Sequence, residues 1–180
     1  MVWMEEAVNQ MVKFGLILGT ICLAATLVLA FTYEITKPKI DAEMRREEQA
    51  ALKTIMPEAD SFTAKVIDGI EYFEALRRSE LIGYCIKVTG SGYAGYIRII
   101  VGINPKGVIE GVRILEHQET PGLGAKISDM SFLKQFIGKS ARTVKVRRDI
   151  DAITGATISS KAVTDSISKT VDEFLAKVNR

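Results

Sequence analysis

The stretch GYCIKVTGSGYAGYIRIIVGINPKGVIEGVRIL, residues 83–115, holds three runs rich in β-branched and aromatic residues: Gly83 to Val88, Tyr96 to Ile103 and Val108 to Leu115. The loop Asn104-Pro105-Lys106-Gly107 between the last two predicts an antiparallel hairpin. Upstream, Phe62 to Val66 is a further strand candidate, bounded by Asp68-Gly69, and downstream Thr143 to Val146 is another. Helices are expected over Asp129 to Phe136, capped by Ser128 or Asp129, and from about Ser159 to Val178. In the second, Val163, Ile167, Val171, Phe174 and Val178 recur at helical spacing and predict a stripe packed on the sheet. Residues 58–180 therefore read as one α+β domain, a mixed domain with an antiparallel sheet and a long C-terminal helix.

The N-terminal third has a different character. From Phe14 to Tyr33 the chain carries no formal charge, and at about 1.5 Å per residue this run spans about 30 Å, the thickness of a bilayer core. It is longer than the apolar part of a cleaved signal peptide, Glu5 and Glu6 precede it, and no good small-residue cleavage site follows, so residues 1–33 read as a segment with one transmembrane helix in the lipid bilayer. Gly15, Gly19, Cys22, Thr26 and Ala30 draw a stripe of small residues along it, which suits close approach of a partner helix. Residues 34–57 read as a charged helical stalk with Ile40, Met44, Ala51, Leu52 and Ile55 toward one side, ended by Pro57. Lys37, Lys39, Arg45 and Arg46 follow the span and only Lys13 precedes it, a balance that by itself places the C-terminal part in the cytoplasm.

Composition narrows the function classes. With 24 Lys and Arg against 22 Asp and Glu, a net charge of +2 and 47% hydrophobic residues, the 180-residue chain is neither a disordered tail nor a basic nucleic-acid binder. Cys22 and Cys85 lie far apart and support neither a disulfide framework nor a zinc site. His117 is the single histidine and no G-x-S-x-G elbow accompanies it, so a Ser-His-Asp triad is not supported. Ser166 to Lys169 matches S-x-x-K, but it lies in the middle of the amphipathic helix without its companion motifs.

One segment carries chemistry: Asp151-Ala152-Ile153-Thr154-Gly155-Ala156-Thr157, immediately before the long helix. The Gly155-Ala156 pair allows close backbone approach, and Thr157, Ser159 and Ser160 sit where a helix exposes unpaired N–H groups and the positive end of its dipole. Such a place holds a phosphate, although an ordinary helix cap written in Thr and Ser has the same composition. Two further blocks precede it, Gly90-Ser91-Gly92-Tyr93-Ala94-Gly95 and His117-Gln118-Glu119-Thr120-Pro121-Gly122-Leu123-Gly124.

The Asp-x-x-Thr-Gly-Ala-Thr segment resembles the flavinylation motif of the FMN-binding domain family. The Glu-Thr-Pro-Gly-Leu-Gly segment and the glycine-rich turn with Tyr93 resemble two other blocks of that family, in the same order. With one N-terminal membrane helix on a short chain, the resemblance is to the family's branch of G subunits of Rnf-type electron-transport complexes, related to the C subunit of the sodium-pumping NADH:quinone reductase. It covers the anchor and the chain from Gly83 onward.

The resemblance implies a membrane-anchored electron carrier, with FMN joined through its phosphate to the side-chain oxygen of Thr157. It implies cofactor contacts from Thr154, Gly155 and Ala156 in the motif, from Glu119, Thr120, Leu123 and Gly124 in the second block, and from Tyr93 and Ala94 in the glycine-rich turn. Candidate phosphate cations are Lys139, Arg142, Lys145, Arg147 and Arg148, with Lys145 and Arg147 sharing a strand face, although a solvated basic face partly balanced by Asp149 and Asp151 accounts for each of them equally well. The implied partners are the other membrane and redox subunits of the complex and a flavin transferase for maturation. That transferase works outside the cytoplasmic membrane, which puts the C-terminal domain on the periplasmic or extracellular side, against the Lys and Arg count. No substrate turnover by the chain alone is expected. An anchored sensory domain without a relay role, and a free flavin reductase, are the competing readings.

Overall fold

The computed structural model describes residues 2–178, and side chains from residue 9 onward. Helix α1, Val2–Ile55, runs unbroken through Pro38, and from Asn9 it is long and apolar enough to cross a membrane. Large apolar side chains along it, Leu16, Leu23, Leu27 and Phe31 among them, are exposed, as a helix solvated by lipid requires. The chain divides into two compact units, one up to Arg46 and one from Glu47 on.

That division differs from the domain start at residue 58 expected from the sequence. The last turns of α1 belong to the folded domain because Ala51, Leu52 and Ile55, with Met56, are buried against the sheet residues Ala75, Cys85 and Ile100. Ile40 and Met44, the earlier members of the same stripe, stay exposed. The helix ends at Ile55, two residues before Pro57.

Five antiparallel strands follow in simple meander order: β1 Ser61–Ile67, β2 Ile70–Arg77, β3 Glu80–Ser91, β4 Tyr96–Ile103 and β5 Ile109–His117. Asp68-Gly69 and Arg78-Ser79 close the first two hairpins with positive φ at both central positions of each, which matches the right-handed twist of the flanking strands. The Asn104 loop makes the β4–β5 hairpin: Asn104 Oδ1 accepts from the amides of Lys106 (3.0 Å) and Val108 (3.1 Å). The expected strand at Thr143 to Val146 does not form. Those residues lie in turns that include only an isolated bridge from Val146 to Ile150, so Lys145 and Arg147 share no strand face. Arg147 instead adopts a positive φ of 66°, where an extended run cannot continue.

Alternation along the strands sends two sets of side chains to opposite faces. Ile86, Val88, Ile97, Ile99, Val101 and Ile103 face helix α3, Thr157–Val178, whose Val163, Ile167, Val171 and Phe174 complete the main core. Val178, the last member of the expected stripe, packs against that core partly buried. Tyr72, Tyr84 and Phe174 meet edge to face there, with centroids 4.8 to 6.1 Å apart. Where a helix was expected over Asp129 to Phe136, the chain forms a short α2, Met130–Leu133, flanked by 3₁₀ turns at Gly124–Ser128 and Lys134–Phe136, and neither expected cap residue makes a side-chain cap bond there.

Candidate functional site

The site forms where three loops converge on the first turn of α3. Gly155 takes a φ of +79°, a conformation that costs a glycine little, and turns the chain so that Ala156 N–H donates to Ile153 O (2.9 Å). Ala156 O then accepts the first helical bond from Ser160 N–H (3.0 Å), which makes Ala156 the cap residue. An alanine brings no capping oxygen. Among the described residues, no side chain accepts from the amides of Thr157, Ile158 or Ser159, so the positive end of α3 is open.

The hydroxyls of this turn differ sharply in their engagement. The Ser160 hydroxyl, fully buried, donates to Ala156 O (2.9 Å) and accepts from Ile153 N–H (3.0 Å), which pins the motif turn to the helix. Ser159, also buried, donates to Glu119 Oε2 (2.5 Å). Thr157 is exposed at the first helical position and no side-chain bond engages it. At its upstream end the motif is held by Gln135, whose Oε1 accepts from Asp151 N–H (2.7 Å).

Glu119 is the hub between the loops. Its carboxylate is 5% exposed and Oε1 accepts from the backbone amides of Tyr93 (2.7 Å) and Ala94 (3.2 Å). Its own amide donates to His117 Nδ1 (3.2 Å), so the single histidine braces the loop. A Cβ on Gly92 would overlap Glu119 Oε1, and one on Gly124 would lie 2.5 Å from Oε2, so the two glycines admit the carboxylate. The next residues wind tightly, with Thr120 O accepting from the Leu123 and Ala125 amides. Leu123 reaches the motif turn, where a Cβ on Gly155 would come within 3.3 Å of its Cδ2. Leu123, Tyr93 and Ile158 leave large apolar surface exposed around the open helix end.

The structure thus brings together Tyr93, Ala94, Glu119, Thr120, Leu123, Gly124, Thr154, Gly155, Ala156 and Thr157. It does not bring Lys139 to them. Lys139 belongs to the segment that pairs with Gly107 and Ile109, and Ser168 of α3 bonds to Arg142 in that segment. Ser168 is three turns beyond Thr157, roughly 16 Å along the axis. Arg142 pairs with Asp172 and Arg148 with Asp149, whose carboxyl the guanidinium holds below the usual range. Lys161, one turn after Thr157 on the same helix face, is a basic residue that helix geometry places beside Thr157. Lys161 carries no signal in the sequence because it reads as an ordinary helix residue, whereas Ser160 stands out there only as one of three hydroxyls at the helix start, with nothing to show that it is the one turned inward.

An open helix end, an exposed hydroxyl on it and exposed apolar side chains beside it suit a phosphorylated flat cofactor. Comparison with known proteins agrees. The FMN-binding domain family matches residues 92–172, and the RnfG N-terminal region matches residues 4–55. The class is therefore an FMN-binding domain on an N-terminal membrane helix. The G subunit of the Na(+)-translocating ferredoxin:NAD(+) oxidoreductase complex of Acetobacterium woodii is 34% identical over 90% of this chain and 90% of its own length. The G subunit of the proton-translocating ferredoxin:NAD(+) oxidoreductase complex of Clostridium ljungdahlii is 33% identical over 84% of this chain and 85% of its own. The C subunit of the Na(+)-translocating NADH-quinone reductase from Parabacteroides distasonis shares the fold with a TM-score of 0.52 and 26% identity, covering 62% of this chain and 63% of that one. The chain belongs to the family of Rnf complex G subunits.

Proposed function

We propose that this chain is a single-pass, membrane-anchored flavoprotein that relays electrons within an ion-translocating ferredoxin:NAD(+) oxidoreductase complex, with FMN held by a phosphoester to Thr157. The observation that carries the attachment site is the exposed Thr157 hydroxyl on the uncapped end of α3, beside buried neighbours whose hydroxyls are already engaged. The phosphodiester keeps one negative charge, which the free amides of Thr157, Ile158 and Ser159 and the helix dipole stabilise, with Lys161 as the nearby cation. Leu123 and Tyr93 supply the apolar bed. Bound there, an isoalloxazine ring accepts and returns electrons, the chemistry that a relay requires. A tether also keeps the group at high effective concentration beside a neighbouring redox centre.

The remaining subunits of such a complex are the partners, and a flavin transferase completes maturation. The C-terminal domain lies on the periplasmic or extracellular face in this reading, where a covalent bond prevents loss of the cofactor to the surroundings. The test is mass spectrometry and in-gel fluorescence of denatured chain from cells that flavinylate it. We expect an FMN adduct on Thr157 and none in Thr157→Ala, with unfolding of the domain unchanged. An adduct persisting in the variant would refute the site, and a colourless denatured wild type would refute the covalent reading.

A further inference from the structure

Glu119 is the one acidic side chain buried among the described residues of the domain, and a buried carboxylate is costly unless its oxygens are satisfied. Here they are satisfied from inside the protein. Oε1 receives two backbone amides of the glycine-rich turn, at Tyr93 and Ala94, and Oε2 receives the Ser159 hydroxyl from the first turn of α3. Gly92 and Gly124 close over it so tightly that a methyl group on either would overlap the carboxylate.

Resting on the flavin reading above, we infer that Glu119 is a positioning residue that does not touch the flavin: its carboxylate locks the Tyr93 turn, the Thr120–Gly124 loop and the helix end bearing Thr157 into one preformed cradle. Three donors from the protein hold its two oxygens, and with only 5% of the residue exposed the carboxylate presents almost no surface to a ligand. The three segments it joins are far apart in sequence, and outside this carboxylate the turn at Tyr93 has no hydrogen bond to α3 among the described residues. Shape rather than charge is what the lock needs. A glutamine keeps the length, offers one carbonyl oxygen to the Tyr93 and Ala94 amides, and donates from its NH₂ to Ser159 Oγ once that hydroxyl rotates toward a backbone carbonyl of the preceding turn. An aspartate keeps the charge but is one methylene too short to span both sides.

The experiment compares Glu119→Gln, Glu119→Asp and Glu119→Ala in the full-length chain in detergent. Hydrogen exchange is read at the Tyr93 and Ala94 amides in a Thr157→Ala background, so that no covalent flavin contributes. Flavin per chain and flavin absorption maxima are read with Thr157 present. We expect exchange in Glu119→Gln within about threefold of the parent, and at least about tenfold faster in the Asp and Ala variants. Flavin per chain should follow the same order, with unshifted absorption maxima in Glu119→Gln. Glu119→Gln behaving like Glu119→Ala while Glu119→Asp retains flavin would overturn the inference, as would shifted maxima in Glu119→Gln or unchanged amide protection in Glu119→Ala. Absence of flavin from the wild type would defeat the parent reading alone, because the exchange measurement judges the lock independently.

Discussion

At the scale of single residues, the site depends on which polar groups are already engaged. Ser160 spends its hydroxyl in both directions, so Ser160→Ala leaves the partly buried Ile153 amide without its partner. That should cost about 1 to 3 kcal/mol in denaturant unfolding, and it should loosen the motif turn. Cys85 makes the opposite case of a group kept neutral. Burial pushes its thiol from 9.0 up to about 12. Its neutral form therefore favours the folded state fully below pH 9, and that contribution fades as pH rises through 9 toward 12. Comparing the unfolding free energies of the wild type and Cys85→Ala across that range should show the gap narrowing with alkali; a gap independent of pH would show that the thiol titrates normally in the fold. Thr157 and its neighbours were legible in the sequence because a motif and a helix start coincide there. Glu119 was expected from the sequence to contact a cofactor; its place as a hub was not legible, since nothing in a linear string shows that Oε1 and Oε2 face two segments at once.

At the scale of elements, local pattern worked where one face of an element is buried and failed where a tertiary partner decides. The β4 limits, Tyr96–Ile103, follow directly from its run of β-branched residues. Strand β2 escaped notice because its IEYFEALR mixes charges with apolar residues, and because the turn after it, Arg78-Ser79, contains no glycine. The apparent strand at Thr143 to Val146 failed for the converse reason: good composition, but no neighbouring strand to pair with. The stripe of α3 was fully readable, and its largest member sets its worth. Phe174 is buried between Tyr72 and Tyr84, so Phe174→Ala should lower stability by roughly 3 to 5 kcal/mol in chemical denaturation of the full chain. On the opposite face, Lys87 bridges Glu48 on α1 and Glu71 on β2, at 2.7 and 2.9 Å. Burial draws its pKa down, yet the hydrogen bonds from the two carboxylates outweigh that and leave it raised. The bridge is still partly open to solvent, so Lys87→Met should change stability by no more than about 1 kcal/mol, with the difference shrinking in high salt.

At the scale of the whole molecule, the membrane helix was the plainest feature of the sequence, because an uncharged apolar run of that length matches the thickness of a bilayer core. The boundary at Glu47 was not, since the burial of Ala51, Leu52 and Ile55 depends on a sheet that the helix itself does not encode. Two expectations belong here. A cysteine placed at the exposed loop residue Lys106, in a chain whose Cys85 is buried, should react with an impermeant maleimide from outside the cytoplasmic membrane; reaction only after lysis would reverse the proposed orientation. Gly19 has open space around the position of a Cβ, so Gly19→Leu fits the isolated chain. It should nonetheless reduce recovery of the other complex subunits in detergent by a few-fold, as expected if the small stripe seats a neighbouring helix.

The meander carries a consequence for how the protein is made. Strands pair only with their immediate neighbours in sequence, so each new strand can add to the one synthesised just before it and the sheet can zip together by short loop closures as the chain emerges. Helix α3 comes last, and its contacts to β3 and β4 span the whole intervening sequence. Thr157 therefore takes up its place at the head of a helix only after the sheet beneath it exists. A transferase that reads that geometry would modify finished domains and pass over partial ones, so the flavin would report completion of folding, and chains stopped short of Phe174 should emerge colourless.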